Sequence, residues 1–162
     1  LLTKTPADLL ADFRRDFDAL VYSQPLVAET VGAKVQDLAT WRARGHIVGA
    51  EGSGRFHYTG RGLLHAGIVA QLAVIMGPQR AGRYSLDLAD TVQAFGDGGA
   101  GFEHLTFERA YDEGGSPASA GRDMTMTFSP VPPGMTGDTP VVYLPLGKMF
   151  DRWAVTARLL LG

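Results

Sequence analysis

The stretch Leu38-Ala39-Thr40-Trp41-Arg42-Ala43-Arg44-Gly45-His46-Ile47, followed beyond a glycine-rich tip by Arg55-Phe56-His57-Tyr58-Thr59, decides how this sequence of 162 residues folds. Leu38 and Trp41 are three apart, the separation that places two side chains on one helix face. Gly45 marks where that helix stops. The helix reads from about residue 35 to 44, with Val35, Leu38 and Trp41 offered to a core. Upstream, after Ser23-Gln24-Pro25, residues 26–31 read as a shorter helix that buries Leu26, Val27 and Val31 and is closed by Gly32. Two short helices joined by a glycine-containing turn are the helix-turn-helix unit.

Outward from this unit, Ile47-Val48, the tip at residues 49–54 and residues 55–58 read as a two-stranded hairpin, a wing. Thr59 caps a helix running to about Met76 through Leu63, Leu64, Ile68, Leu72 and Ile75, and Gly77-Pro78 ends it. The core predicted for residues 26–76 is Leu26, Val31, Leu38, Trp41, Ile47, Tyr58, Leu64 and Ile68. A fully buried Trp41 would cost about 3–5 kcal/mol on truncation to alanine.

The ordered set of helix, turn, helix, wing and helix resembles the winged helix-turn-helix of the MerR family, including the small excisionase-like domains of phage and mobile elements. The resemblance covers residues 26–76. It implies a DNA-binding function in which the start of the second helix faces the major groove and the wing reaches phosphate or the minor groove. Carried over by position, Lys34, Gln36, Asp37 and Thr40 fall where the family reads or touches DNA. Arg42, Arg44 and Arg55 fall at backbone contacts, and Tyr58 closes the wing within the same DNA-facing set. Taken without the resemblance, Arg42 and Arg44 read equally well as a solvated helix face.

Two departures bear on specificity. Ala39 stands where regulators of this family commonly carry arginine, and Asp37 repels phosphate unless it accepts from a cytosine amino group. Modest sequence discrimination is therefore expected. The long dimerising helix of the family's metal and drug sensors is missing, because Gly77-Pro78 closes the helix that would become it.

Composition agrees with a globular protein: 45% of residues are hydrophobic and 20% charged. The formal net charge is −2, so DNA affinity has to come from a local patch. Residues 26–61, with five basic and three acidic side chains, are the only net-positive segment. The absence of cysteine excludes disulfides, thiolate zinc sites and a cysteine nucleophile. His46, His57, His65 and His104 form no HxxxH or HxH pair, so no metal site is expected. The glycine run at residues 96–101 lacks the lysine and hydroxyl residue of a phosphate-binding loop, and Asp112 with Glu113, or Glu103 with Glu108, forms no catalytic pattern. The expectation is a protein that is not an enzyme and needs no cofactor. No apolar run approaches the ~20 residues that span a bilayer, which makes a cytoplasmic protein without a membrane partner the default.

Residues 6–21 read as an amphipathic helix carrying Leu9, Leu10, Phe13, Phe17, Leu20 and Val21, with Thr5 as cap and Pro6 in the first turn. Downstream, extended stretches are expected at residues 102–111, 123–128 and 141–144, with strict apolar and polar alternation in Met124-Thr125-Met126-Thr127-Phe128. A last helix at residues 148–160 presents Phe150, Trp153, Ala157 and Leu160 along one face. The expected fold class is mixed: an N-terminal helix at 1–25, an α-helical winged helix-turn-helix domain at 26–78 and a small α+β domain at 79–162. Function is then a transcriptional regulator bound to double-stranded DNA, whose C-terminal domain dimerises or takes a small-molecule or protein partner. The alternative is a DNA-packaging or recombination accessory of phage type. The stripe on the last helix, with help from the first, builds a homodimer interface or else closes the protein's own core.

Overall fold

The computed structural model describes residues 3–47, 56–109, 124–133 and 141–162. Thr5 starts the first helix, α1 (Pro6–Arg15), by a capping box: its hydroxyl accepts from the Asp8 N–H, and the Asp8 carboxylate accepts from the Thr5 N–H. The helix ends earlier than its pattern suggests. Residues 16–18 turn, which keeps Phe17 buried while leading the chain into the two-residue strand β1 (Tyr22–Ser23). Leu20 is left exposed.

Ser23 caps α2 (Gln24–Val31), and Gly32, at φ 74°, takes the left-handed conformation that ends it. Next comes α3 (Val35–Ala43) and, further on, β2 (Phe56–Tyr58). β2 pairs antiparallel with β1, setting Tyr22 opposite Tyr58. The expected hairpin between Ile47-Val48 and residues 55–58 therefore has a different observed neighbour on one side, and Ile47 is buried in a bend instead of a strand. The tip of the expected wing, with Arg55, lies outside the described residues.

Thr59 caps α4 (Gly60–Met76) through its hydroxyl, and Gly77 ends it. Gly77 also opens α5 (Pro78–Asp87), with proline in the first turn; α6 (Ala89–Gly96) follows at once. The strands β3 (His104–Arg109), β4 (Met124–Ser129) and β5 (Val141–Leu144) form an antiparallel sheet in the order β4-β3-β5, and α7 (Leu146–Leu161) ends the chain. With seven helices and this sheet among the described residues, the fold is mixed α and β. No helix among them is long and apolar enough to cross a membrane.

The chain groups into two units, Leu1–Gly99 with Phe150–Gly162, and Ala100–Met149. This differs from the division expected at residue 78: α1, α5, α6 and most of α7 belong with α2 to α4. In the first unit, Phe13 is fully buried among Phe17, Tyr22 and Phe95, with ring centroids 6.0, 5.9 and 6.3 Å away. Phe95 in turn meets Phe150 edge to face at 5.3 Å. The Arg14 guanidinium lies over the Phe95 ring at 4.8 Å and donates from Nε to the Phe95 carbonyl at 2.9 Å. Arg158 on α7 reaches Asp16 at 3.1 Å, tying the last helix to the turn after α1.

Six of the eight predicted core residues of 26–76 are buried: Val31, Leu38, Ile47, Tyr58, Leu64 and Ile68. Leu26 and Trp41 are only half-buried, so the cost expected for a buried Trp41 does not apply. Val35 and Ile75 are exposed, at 44% and 54%. On α7, Phe150, Trp153 and Ala157 are buried within the first unit, which removes them as a dimer interface; of the stripe only Leu160 is exposed.

In the second unit β3 is the central strand, with Leu105 and Phe107 fully buried. Along β4, Met126 is half-buried while Thr125 and Thr127 are exposed, but Phe128 is exposed too, at 39%, so the alternation read from the sequence holds only in part. Tyr143 stacks on His104 and their side chains hydrogen-bond at 2.6 Å. The Gly147 N–H donates to the Glu103 carbonyl at 3.1 Å, fastening the start of α7 beside β3.

Candidate nucleic-acid interface

Among its nine residues, α3 buries Leu38 and half-buries Ala39, Trp41 and Arg42, which leaves Val35, Gln36, Asp37, Thr40 and Ala43 open to solvent or a partner. Lys34 stands at its N-cap position without making a side-chain cap, and Lys34, Val35, Gln36, Asp37 and Thr40 are all exposed. The Thr40 hydroxyl donates back to the Gln36 carbonyl at 3.0 Å. Its lone pairs therefore remain to accept, and the Gln36 amide offers both a donor and an acceptor. At the other end Arg44 is exposed, and His46 N–H donates to the Trp41 carbonyl at 2.8 Å, extending the helix end into the next segment. The exposed face thus carries two basic groups, Lys34 and Arg44, with Asp37 between them.

Arg42 does not join this face. It is half-buried, and its Nη1 is buried with no hydrogen-bond partner among the described residues. The positive charge of Arg42 acts on the Tyr58 hydroxyl, which burial nevertheless pushes up to about 12. Tyr58 is fully buried and its hydroxyl makes no hydrogen bond among the described residues, so it belongs to the core and not to a DNA-facing surface. Two of the eight expected contact residues, Arg42 and Tyr58, are thereby reassigned. Lys34, Gln36, Asp37, Thr40 and Arg44 are brought together along one helix, and Arg55 lies outside the described residues.

This arrangement makes a sharp distinction among the arginines. A guanidinium held against the protein releases no counterions on binding DNA, whereas an exposed one at a phosphate does. Arg42→Ala should leave the slope of log K against log salt unchanged, while Lys34→Ala and Arg44→Ala each flatten it by about 0.9. Duplex-binding titrations at several salt concentrations read this directly.

Arg44 also borders a cleft of about 620 Å³ together with His46 and Met76 to Arg80. Arg80 was not singled out from the sequence; the only available signal is its position just after Gly77-Pro78, which reads as a stop. Among the described residues no group of three or more histidine, aspartate or glutamate side chains is placed to hold a metal ion. His65 is buried on α4, with Nδ1 at 2.7 Å from Ser85 Oγ and Nε2 without a partner among the described residues.

The chain matches no protein-family model and no curated protein.

Proposed function

We propose that the protein binds duplex DNA as a winged helix-turn-helix regulator of MerR-like type, with α3 entering the major groove. The observation that carries this reading is the exposed polar face of α3, Lys34, Gln36, Asp37, Thr40 and Arg44, set on a helix anchored from behind by Leu38 and joined to α2 through the left-handed Gly32. An α-helix with its side chains is about 10–12 Å across, which fits a major groove about 12 Å wide. Gln36 is of the type that pairs with adenine, and Asp37 accepts from a cytosine amino group. The wing reading rests on residues 47–58, of which Ile47 and β2 are described, and β2 pairs there with β1.

One module has a small footprint, and two copies on neighbouring half-sites would raise affinity without new contacts. The proposed homodimer must then use a surface other than Phe150, Trp153 and Ala157. The second unit is proposed to take the regulatory partner, a small molecule or a protein. An accessory role in DNA packaging or recombination is favoured by one feature, the acidic Asp37 in the middle of the exposed face, which lowers affinity for phosphate without adding specificity unless a cytosine is there.

Salt-dependent binding to random and genomic duplex separates these outcomes. Linear loss of log K with log salt together with a preferred site supports the regulator; the same loss without a preferred site supports the accessory protein. No binding at low salt contradicts both.

A further inference from the structure

We propose that the cleft between the end of α3 and the start of α5 is a phosphate-binding site that holds the DNA backbone beside the groove entered by α3. The proposal deepens the DNA reading and rests on it. Arg44, His46 and Arg80 line the cleft with Gly77, Pro78 and Gln79, and none of its lining among the described residues is acidic. Arg80 is half-buried and, among the described residues, its Nε is buried with no hydrogen-bond partner, so the guanidinium is partly desolvated at a cost that an anion at its exposed edge would offset. The start of α5 adds to this. Gly77 provides no side-chain cap and no acidic residue occupies the first turn, so the first N–H groups of α5 take no side-chain cap there, while the end of α4 at the same Gly77 offsets the helix dipole.

The walls are fixed relative to each other. A Cβ on Gly82 would lie 2.9 Å from His46 Cβ and 3.0 Å from the His46 carbonyl oxygen, so α5 rests directly on the backbone that follows α3. Arginine forks suit a phosphate, which accepts in several directions. The DNA backbone is the source favoured by position: when the exposed N-terminal part of α3 is in the groove, a helix of nine residues brings its C-terminal end, Arg44, to the groove edge where phosphates run.

The test uses the full chain and two probes, a duplex DNA and inorganic phosphate. Arg80→Gln should flatten the salt slope by about 0.9, which over a fourfold rise in salt makes the loss of affinity about 3.5-fold smaller, while Arg152→Gln, an exposed arginine on α7, leaves the slope as it was. In parallel, titrating the wild type with inorganic phosphate should shift the amide resonances of Gln79 and Arg80 saturably. An unchanged slope in a folded Arg80→Gln variant overturns the cleft's role on DNA and leaves α3 as the reader. If the wild type binds no duplex, the DNA reading fails by itself, and the phosphate titration decides the remainder. Saturable shifts then assign the cleft to a free phosphate-bearing ligand, and their absence removes the site altogether.

Discussion

Trp153→Ala should destabilise the protein by about 3–5 kcal/mol, the cost of emptying a buried aromatic site. Trp153 is 1% exposed and packs against Phe150, with ring centroids 6.0 Å apart. Its ring lies against Gly67 on α4, where a Cβ would sit only 2.5 Å from Trp153 Cζ3. Gly67 is therefore the slot that lets α7 close on α4. Gly67→Ala would ordinarily gain about 0.5–1 kcal/mol in a helix interior, but here it forces a rigid ring out of place and should destabilise. In the double variant the methyl group enters the space that the ring vacated, so the two losses should not add, with a coupling of about 0.5–3 kcal/mol. Urea unfolding of the four proteins checks this. Additive losses, or an undisturbed Trp153→Ala, would contradict the packing of α7 on α4. The same variants bear on assembly, because a substitution that lowers monomer stability marks the stripe as intramolecular.

The second large effect is on acid stability. His65 is buried, and desolvation, assisted by the charge of Arg61 and opposed by Ser85, lowers its pKa from 6.5 to about 4. The folded protein keeps this imidazole neutral where the unfolded chain takes up a proton. Its contribution is fully present above pH 6.5 and is lost as pH falls from 6.5 towards 4, amounting to about 3 kcal/mol across that window. Asp8, Asp12 and Asp16, held below the usual carboxylate range by hydrogen bonds and neighbouring cations, lose their contributions at lower pH. Comparing the wild type with His65→Gln at pH 7 and pH 4.5 isolates the histidine: most of the difference in acid sensitivity should disappear in the variant. Parallel pH profiles would show that His65 takes up its proton over the same pH range in the folded and unfolded states, which contradicts its burial as a neutral imidazole.

Local signals were legible in the sequence wherever a short stretch decides its own conformation. Gly32, Thr59 and Gly77 stand where α2 ends, where α4 begins and where it ends, and the stretch from Met124 forms β4, although its Phe128 is exposed. What could not be read were partners far along the chain. Tyr58 pairs with Tyr22, a contact that no local pattern announces. Gly77-Pro78 stops one helix, yet proline is equally suited to the first turn of the next, and α5 begins there. The return of α7 to the first unit depends on Trp153 meeting Gly67, residues whose proximity has no trace in periodicity.

The candidate interface divides in the same way. Lys34, Gln36, Asp37 and Thr40 are placed by the family resemblance, and all are exposed. Arg42 reads as a surface cation by residue type, but its position on α3 turns it inward and its charge acts on the buried Tyr58. Trp41, read as core, is half-buried because α3 gives the interior little more than Leu38. Arg80 and His46 become neighbours only once α5 has folded back on the segment after α3.

The central claim, that α3 is the surface presented to DNA, is tested most directly by mapping amide chemical shifts of isotope-labelled protein during titration with a short duplex at low salt. The largest shifts should fall on Lys34, Gln36, Asp37, Thr40 and Arg44, with smaller ones at Gln79 and Arg80, and with Thr125 and Thr127 of the sheet unit unaffected. Shifts confined to residues of β3, β4 and β5, or a spectrum unchanged by DNA, would contradict it.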